Sequence, residues 1–146
     1  MIEQANKDDI EEVYELICLL ENKQINKSHF QKVFCDSISR QDIYFLVYKL
    51  DNRIIGFMSL YIHCYLHHHR DTMEIVELVV DPHYRRQHIG KQFLDYAYNL
   101  ALKHNLEEID LSTSIYRKDA HRFYENNGFI KNHYNYTKEI KTARND

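Results

Sequence analysis

One stretch, residues 74–93, limits most strongly what this chain can fold into; it reads EIVELVVDPHYRRQHIGKQF. Apart from Glu77, residues 75–80 form an apolar, largely β-branched run, which is typical of a strand buried on both faces. Pro82, the only proline in the sequence, ends that strand. From Ile89 onward, apolar residues recur every three or four positions, and this spacing predicts a helix. A strand buried in a sheet therefore leads through a short loop into a helix.

The loop between this strand and this helix is polar and basic. The first N–H groups of a helix lack intrahelical acceptors, and the helix dipole favours negative charge beside them. We therefore predict an anion site here, suited to a pyrophosphate. Its donors are the side chain of Arg85 and the backbone N–H groups of Arg86, Gln87, His88, Ile89, Gly90 and Lys91. An ordinary solvated loop is the alternative interpretation.

Length and composition favour one globular domain, residues 1–146. Of the 146 residues, 44% are apolar and 28% are charged, a balance typical of a single domain with a sizeable core. The formal net charge of −3 argues against a general nucleic-acid binder. No apolar run approaches the length of a membrane span, and the first residues, MIEQANKDD, are too charged for a signal peptide. We therefore expect a cytoplasmic protein without membrane or nucleic-acid partners.

The three cysteines give no sign of a metal or redox site. Cys18, Cys35 and Cys64 are odd in number and follow no metal-binding or redox spacing. We expect them to be buried thiols in a reducing cytoplasm.

Periodicity, capping residues and turn residues predict the other elements. Before the central stretch they predict a strand at 1–4, a helix capped by Asn6 and Asp9, a second helix capped by Ser28 and Gln31 and reaching Ser39, and strands at Ile43–Leu50 and 54–64 joined by an Asp51-Asn52 turn. After it they predict a strand at 107–113, a short helix from about Asp119 to Asn127 and Gly128, a closing hairpin of 129–134 with 136–140, and a loose tail at 141–146.

Two motifs resemble the signatures of the GNAT superfamily of N-acetyltransferases. The first, an arginine or glutamine, two residues, a glycine, one residue and a glycine or alanine, falls on Arg85, His88 and Gly90, with His88 replacing the middle glycine. The second, A-x-x-F-Y on a helix and then G-F, falls on Ala120, Phe123, Tyr124, Gly128 and Phe129. The resemblance implies an α/β (α+β) fold in one domain. Its mixed sheet would have six to seven strands, with splayed central parallel strands that admit coenzyme A, and about four flanking helices.

Acetyl transfer to an amine requires a base, because an alkyl ammonium ion titrates near pH ~10.4. Glu77 and Glu74 are the candidates, although at this separation they point to opposite faces of a regular strand. A β-bulge, usual in this superfamily, would re-aim one of them. We favour Glu77, because Glu74 lies nearer the strand entrance, and we expect the other glutamate to serve in an ion pair.

The resemblance assigns further roles. At the splay, the backbone N–H of Val79 would stabilise the oxygen of the tetrahedral intermediate. Tyr124 would protonate the leaving thiolate, with simple packing as the alternative, since the chain has 12 tyrosines. The other contacts to acetyl-CoA implied by the resemblance fall on Leu78, Val80, Ser112, Asp119 and Phe123.

A closer resemblance extends over nearly the whole chain. The segments VYELICLL, YLHHH, EIVELVV, LSTSIYRKDAHRFY and YTKEI are similar to those of bacterial aminoalkylphosphonate N-acetyltransferases. That family acetylates small aminophosphonates, such as aminomethyl- and 2-aminoethylphosphonate, and has been linked to a divalent cation. The resemblance implies that Arg117, His67 and His68 bind the anionic end of the acceptor.

The sequence thus predicts an N-acetyltransferase that moves acetyl from acetyl-CoA to the primary amine of a small molecule, and several alternatives stay open. The acceptor could instead be a polyamine, an amino sugar or a protein amine. A non-catalytic acyl-CoA sensor would keep the anion site, but the presence of Tyr124 and both glutamates argues against it. The histidines at 67–69 could be solvated or hold a metal, although adjacent histidines on an extended chain point in opposite directions. A metal requirement and a homodimer are left open.

Overall fold

The computed structural model describes residues 1–141 and shows a mixed α+β fold. Within this range there are five strands: β1 (Ile2–Gln4), β2 (Ile43–Leu50), β3 (Arg53–His63), β4 (Thr72–Val80) and β5 (Ile109–Leu111). The same range contains four α-helices: α1 (Ile10–Glu21), α2 (Lys27–Ser37), α3 (Ile89–Lys103) and α4 (Lys118–Asn126). Beyond Lys141, the tail predicted to be loose lies outside the described residues.

The chain divides into two compact units, Met1–Leu111 and Ser112–Asp146. The first contains one sheet of strand order β1-β2-β3-β4-β5, in which neighbours are antiparallel except for the parallel pair β4 and β5. The second contains α4 and the segments that flank it. None of the described helices has both the length and the apolar character needed to cross a membrane.

The sheet of the first unit has an apolar layer on each face. On one face, residues of α1 and α2 pack on side chains of β2, β3 and β4, among them Val13, Leu16, Phe34, Phe45, Val47, Phe57 and Val79. On the other face, α3 buries five residues, Ile89, Phe93, Leu94, Ala97 and Ala101, as its spacing predicted. Burial of this kind stabilises by about 25 cal/mol per Å² of apolar surface removed from water.

A close approach of α3 to the sheet depends on Gly56. A Cβ atom placed on Gly56 would lie 2.8 Å from the ring of Phe93, which is shorter than a normal contact. The same ring meets Tyr48 edge-on, with 6.2 Å between ring centroids. A residue without a side chain in β3 therefore lets α3 lie directly on the strands.

Local signals placed most of the turns and caps. Asp51 and Asn52 both have positive φ values, 52° and 63°, as a tight two-residue hairpin turn requires. Asn6 and Asp9 form the predicted capping box. The second helix differs from the prediction, because Asn26 rather than Ser28 accepts the hydrogen bond from the N–H of His29, at 2.9 Å. Helix α2 therefore begins with an Asn26 cap, a residue type equally suited to that position.

Three predictions of the fold are wrong. The sheet has five strands in the described residues rather than six to seven, because the predicted hairpin at 129–134 and 136–140 has no strand. An alternating apolar pattern forms a strand only where a neighbouring strand can pair with it and cover its apolar face. In residues 129–141 that face is uncovered, since its apolar side chains are 80–91% exposed: Ile130, Tyr134, Tyr136 and Ile140. Finally, Cys35 and Cys64 are exposed rather than buried, and all three cysteines are free.

Candidate active site

A bulge in β4 brings the two candidate bases to the same face of the sheet. Glu77 lies opposite Ser59 of β3, and Glu74 lies opposite Tyr61, whereas Val76 has no opposite residue. One extra residue shifts the alternation of side chains, so that positions three apart point the same way. Val76 accordingly turns outward and is 39% exposed. The predicted re-aiming of one glutamate is confirmed.

Glu77 is the half-buried carboxylate of this face. Ser59, which is fully buried, donates its hydroxyl proton to Oε1 of Glu77 and accepts the backbone N–H of Glu77 at 3.0 Å. Burial raises the pKa of Glu77; the Ser59 hydrogen bond opposes this shift, and the charges of Glu21 and Glu74 add to it. A carboxylate whose pKa lies above its ordinary value is a better proton acceptor for an ammonium ion.

Glu74 is the carboxylate engaged with another side chain. Its Oε1 lies 2.8 Å from Nε2 of His63, and both side chains are about one-third exposed, at 34% and 28%. His63 continues a row of rings along β3, 6.4 Å from Tyr61 and 5.4 Å from Tyr65 between ring centroids. The glutamate that was expected to form an ion pair is therefore Glu74, and Glu77 stays the predicted base.

The loop that follows β3 forms a turn rather than an extended segment. The N–H of His68 donates to the carbonyl of Tyr65 at 3.3 Å, and the rings of His67 and His68 lie 4.4 Å apart between centroids. The prediction that these adjacent histidines point in opposite directions is therefore wrong. Its physical premise, the two-residue alternation of an extended chain, does not hold in a turn.

Glu107 fastens this loop to the chain just before β5. One of its carboxylate oxygens accepts the N–H groups of His69 and Arg70, at 2.9 and 3.2 Å, and the other is hydrogen-bonded to Nδ1 of His68. This hydrogen bond raises the pKa of His68 and lowers the pKa of Glu107. The strand predicted at 107–113 therefore begins only at Ile109, because the side chain and the backbone N–H of Glu107 bind the loop instead of extending β5.

A possible set of metal ligands lies at the same place. The donor atoms of His68, Glu107 and Glu108 all lie within 4.8 Å of one another. One imidazole nitrogen and two carboxylates suit a divalent first-row transition metal. An ion would displace the proton that His68 shares with Glu107, so the residues fit the group only in the deprotonated state of the imidazole.

The parallel strands β4 and β5 pair over the whole length of β5. Pairing runs from Met73 with Ile109 to Ile75 with Leu111, and β4 then continues to Val80 without a β5 partner in the described chain. This pairing leaves room for the predicted splay, which stays a prediction. Its open stretch of β4 includes the predicted cofactor-binding residues Leu78, Val79 and Val80.

The register also corrects the predicted donor for the tetrahedral oxygen. Asp81 donates its N–H to a carbonyl of β3 at 2.8 Å. Hydrogen-bonded pairs alternate along antiparallel strands, so Val79 forms the next such pair with Phe57. The N–H of Val79 therefore points towards β3, and the predicted role of this N–H is wrong. The N–H groups that point to the open side belong to Leu78 and Val80.

The loop before α3 carries unusual backbone conformations. Arg86 and His88 have φ values of 66° and 61°, in the left-handed region that favours glycine. His88 stands where the superfamily motif has glycine, so the conformation is kept although the residue differs. Helix α3 begins at Ile89, and within residues 1–141 the N–H groups of Ile89, Gly90 and Lys91 have no hydrogen-bond acceptor.

The side chains of this loop leave those N–H groups accessible. Four consecutive side chains, Arg85, Arg86, Gln87 and His88, are exposed. Lys91 forms an ion pair with Asp95 one turn further along α3, at 2.9 Å. The predicted anion site therefore has its backbone donors and two arginines at one helix start.

The second unit holds the remaining predicted residues. Tyr124 packs against Phe123 and Phe129, at 5.3 and 5.6 Å between ring centroids, and the chain turns at Gly128 with a φ of 90°. Burial raises the pKa of Tyr124, and the charge of Arg117 opposes the shift. A neutral phenol is the form that can donate a proton to a thiolate.

Of the other predicted residues of this unit, all but Phe123 are exposed. Ser112 and Arg117 lie before α4, and Asp119 lies in its first turn, where Arg122 forms an ion pair with it. This ion pair occupies one oxygen of Asp119. Phe123 is half-buried and its carbonyl accepts a hydrogen bond from the side chain of Asn127 at 2.8 Å.

Sequence analysis missed the partners of the predicted residues. Ser59, His63 and Glu107 each bind a predicted residue through a side chain, yet none belongs to a motif. The one available signal was alternation in β3, which places Ser59, Tyr61 and His63 on a common face. Which residues of β4 they meet depends on the bulge, and the sequence does not locate it.

Comparisons with known proteins agree with this geometry. The chain matches the Acetyltransferase (GNAT) family over residues 10–129. An aminoalkylphosphonate N-acetyltransferase of Salmonella typhimurium is 35% identical over 136 residues, which are 93% of this chain and 88% of that protein. Among solved structures, a transcriptional regulator from Bacillus halodurans superposes with a TM-score of 0.88 at 22% identity, covering 96% of this chain and 99% of the other.

A second solved structure gives the same result. It is an aminoglycoside acetyltransferase from an uncultured soil metagenomic sample, with a TM-score of 0.81 at 19% identity, covering 97% of this chain and 96% of the other. At such identities the two structures show a shared fold and nothing about the acceptor. The family match, by contrast, spans the bulged strand, the open N–H groups and the Tyr124 helix. This chain therefore belongs to the acetyltransferase (GNAT) family and is an enzyme that transfers acetyl groups from acetyl-CoA.

Proposed function

We propose that the enzyme acetylates the primary amine of a small aminoalkylphosphonate. The observation that carries the proposal is the half-buried Glu77, whose pKa is raised by burial and which lies on β4 beyond its pairing with β5. The relative from Salmonella typhimurium, which is named for this class of substrate, supports the acceptor.

In this proposal Glu77 takes the proton of the acceptor ammonium. The free amine then forms a bond to the acetyl carbonyl carbon, and the carbon–sulfur bond of acetyl-CoA breaks when the tetrahedral intermediate collapses. We assign the N–H of Leu78 or Val80 to the negative oxygen of that intermediate, because both point to the open side of β4. Tyr124 gives its phenolic proton to the leaving thiolate, and the phenolate so formed takes the second proton of the acceptor nitrogen, which leaves the neutral amide.

The contacts to acetyl-CoA are assigned residue by residue. Its pyrophosphate binds the side chain of Arg85 and the N–H groups that begin α3. The remaining cofactor contacts are assigned to Leu78, Val79, Val80, Ser112, Asp119 and Phe123. Support for treating both units as one N-acetyltransferase domain, 1–146, comes from the family match, which includes residues of each.

The phosphonate end needs positive charge. Arg117 offers a forked set of donors that suits a tetrahedral oxyanion. His67 and His68 are the other candidates, and Glu107 raises the pKa of His68 and so favours its cationic form. A divalent cation on His68, Glu107 and Glu108 would supply the same charge when bound, and we include it in the proposal.

The cellular setting follows from the chemistry. Acetyl-CoA is made and used in the cytoplasm, and we place the enzyme there. Three free thiols accord with a reducing compartment. The proposed acceptor is a small molecule, and neither nucleic acid nor membrane takes part.

A thiol-release assay tests the acceptor. It compares 2-aminoethylphosphonate with an uncharged amine, spermidine and a lysine peptide, each with and without a chelator. We expect a strong preference for the phosphonate, which Arg117→Ala reduces by about tenfold or more in kcat/KM. Lys118→Ala is the matched control, since it removes a neighbouring exposed cation and should leave the preference unchanged. A wild-type preference for spermidine or the peptide would contradict the phosphonate assignment.

A further inference from the structure

The fully buried Ser59 has both of its hydrogen-bonding functions directed at one residue. Its oxygen accepts the backbone N–H of Glu77 at 3.0 Å, and its proton goes to Oε1 of the Glu77 carboxylate. Buried hydroxyl groups normally find partners, but here one residue supplies both. The serine and the glutamate therefore form a closed ring of two hydrogen bonds across β3 and β4.

This ring leaves the two carboxylate oxygens of Glu77 in different situations. Oε1 is occupied by Ser59, whereas Oε2 has no hydrogen-bond partner among residues 1–141. Because the Ser59 oxygen already accepts an N–H, the hydroxyl proton keeps one direction, towards Oε1. The carboxylate is thus fixed by one oxygen and open at the other.

The bulge makes this arrangement, since it sets Glu77 opposite Ser59 while Glu74 keeps to the same face. Four other groups face Glu77 or its neighbours. Glu21 from α1 and Glu74 from β4 are carboxylates, Tyr61 of β3 is a half-buried phenol, and His63 is hydrogen-bonded to Glu74. Ser59 alone among the groups that act on Glu77 favours its ionised form.

We propose that Ser59 is a positioning residue: it holds Glu77 through Oε1 so that Oε2 receives the proton of the acceptor amine. The inference rests on the proposed function, in which Glu77 is the base. Ser59 itself touches neither the acceptor nor acetyl-CoA in this assignment. Its removal should change both the orientation of the carboxylate and the pH at which it ionises.

The sign of the pH effect follows from the hydrogen bond. A base works when deprotonated, so kcat/KM rises with pH through the pKa of Glu77. Ser59 stabilises the charged carboxylate, and without it the pKa rises further. The acidic limb of the profile for Ser59→Ala should therefore move to higher pH by about one unit, the size expected for one hydrogen bond to a charged group.

The test measures kcat/KM for acetyl transfer to 2-aminoethylphosphonate from pH 5 to 9, or to the best amine of the panel. Ser59→Cys accompanies Ser59→Ala, because a thiol takes the place of the hydroxyl, although it is somewhat larger, and donates only weakly; it should move the limb in the same direction. Thr72→Val is the matched control. It removes a buried hydroxyl of the same strand pair that has no hydrogen-bond partner, and should leave the limb in place.

Two outcomes separate this inference from the proposed function. If Glu77→Gln retains wild-type turnover, Glu77 is not the base and the proposed function fails first. If Glu77→Gln is inactive while both serine variants, Ser59→Ala and Ser59→Cys, are folded and keep the wild-type limb, the positioning role of Ser59 is overturned. A limb that moves to higher pH in either folded serine variant, with Thr72→Val unmoved, supports it.

Discussion

The bulged half of β4 and the loop before α3, to which we assign the base and the anion site of one reaction, are constructed in opposite ways. Around Glu77 and Glu74 each carboxylate already has a side-chain partner, Ser59 or His63. In the loop, exposed side chains surround backbone N–H groups that have no acceptor within residues 1–141, and two residues other than glycine hold left-handed conformations. The proposed base is thus organised before any substrate arrives, whereas the proposed anion site would complete its hydrogen bonds only when an anion binds.

The largest effect should come from removing the organised base. Glu77→Gln keeps the shape of the side chain but cannot accept the proton, and we expect kcat to fall about a hundred- to ten-thousandfold. Glu74→Gln is the matched variant on the same face and should cost less than tenfold by the same reasoning, since His63 engages it. Steady-state kinetics of both variants check the comparison, and equal losses would contradict the assignment of Glu77 over Glu74.

A smaller loss is expected at the proton donor. Tyr124→Phe removes only the hydroxyl, and we expect about a hundredfold lower kcat, because water can partly replace the donor. The affinity for acetyl-CoA, measured by calorimetry, should stay near the wild-type value. A variant with wild-type turnover would show that Tyr124 only packs against Phe123 and Phe129.

Binding of acetyl-CoA tests the anion site proposed in the loop before α3. Acetyl-CoA at a hundredfold excess over its Kd should raise the free energy of unfolding by about 2.7 kcal/mol, seen as a higher Tm. Gly90→Leu should weaken binding about tenfold by crowding the helix start, at a cost of ~1.4 kcal/mol. Gly90→Ala, the residue that the superfamily motif also allows, is the control and should bind normally. A Tm unchanged by millimolar acetyl-CoA would refute the anion site.

The smallest expected effect concerns backbone strain in the loop. The left-handed conformation costs a residue with a side chain about 1–2 kcal/mol in the folded state. Replacing it by glycine removes this cost, but the greater freedom of glycine in the unfolded chain offsets part of the stabilisation. We therefore expect His88→Gly to raise the Tm of the ligand-free protein by about 1–2 °C. His88→Ala keeps the strain and should not raise it. A lower Tm for His88→Gly would mean that the imidazole makes a stabilising contact.

The parts of the fold that follow from local pattern were predictable. The bounds of β2, the Asp51-Asn52 turn and the buried face of α3 all follow from periodicity and turn chemistry within a few residues. The N-terminal cap of α2 was predicted at the wrong residue, because Asn26 and Ser28 are both residue types that cap helices well and local sequence does not decide between them.

The parts that depend on distant pairing were not predictable. Ser59 and Glu77 are 18 residues apart, and His68 and Glu107 are 39 apart. Alternation tells which residues share a face of one strand but not which residues of another strand they meet. The same gap explains the hairpin wrongly predicted after Phe129, where an alternating pattern found no partner in the described residues.

The absence of a side chain at Gly56 affects more than packing density. Gly56 lies opposite Val80, at the end of the open stretch of β4, and the ring of Phe93 rests on it one turn beyond the first N–H groups of α3. Helix α3, whose first N–H groups would bind a pyrophosphate, is thereby held at a fixed distance from β4, which would bind the thioester. Because a Cβ atom at position 56 would have to displace the ring of Phe93, this glycine helps to set the distance between the proposed anion site and β4.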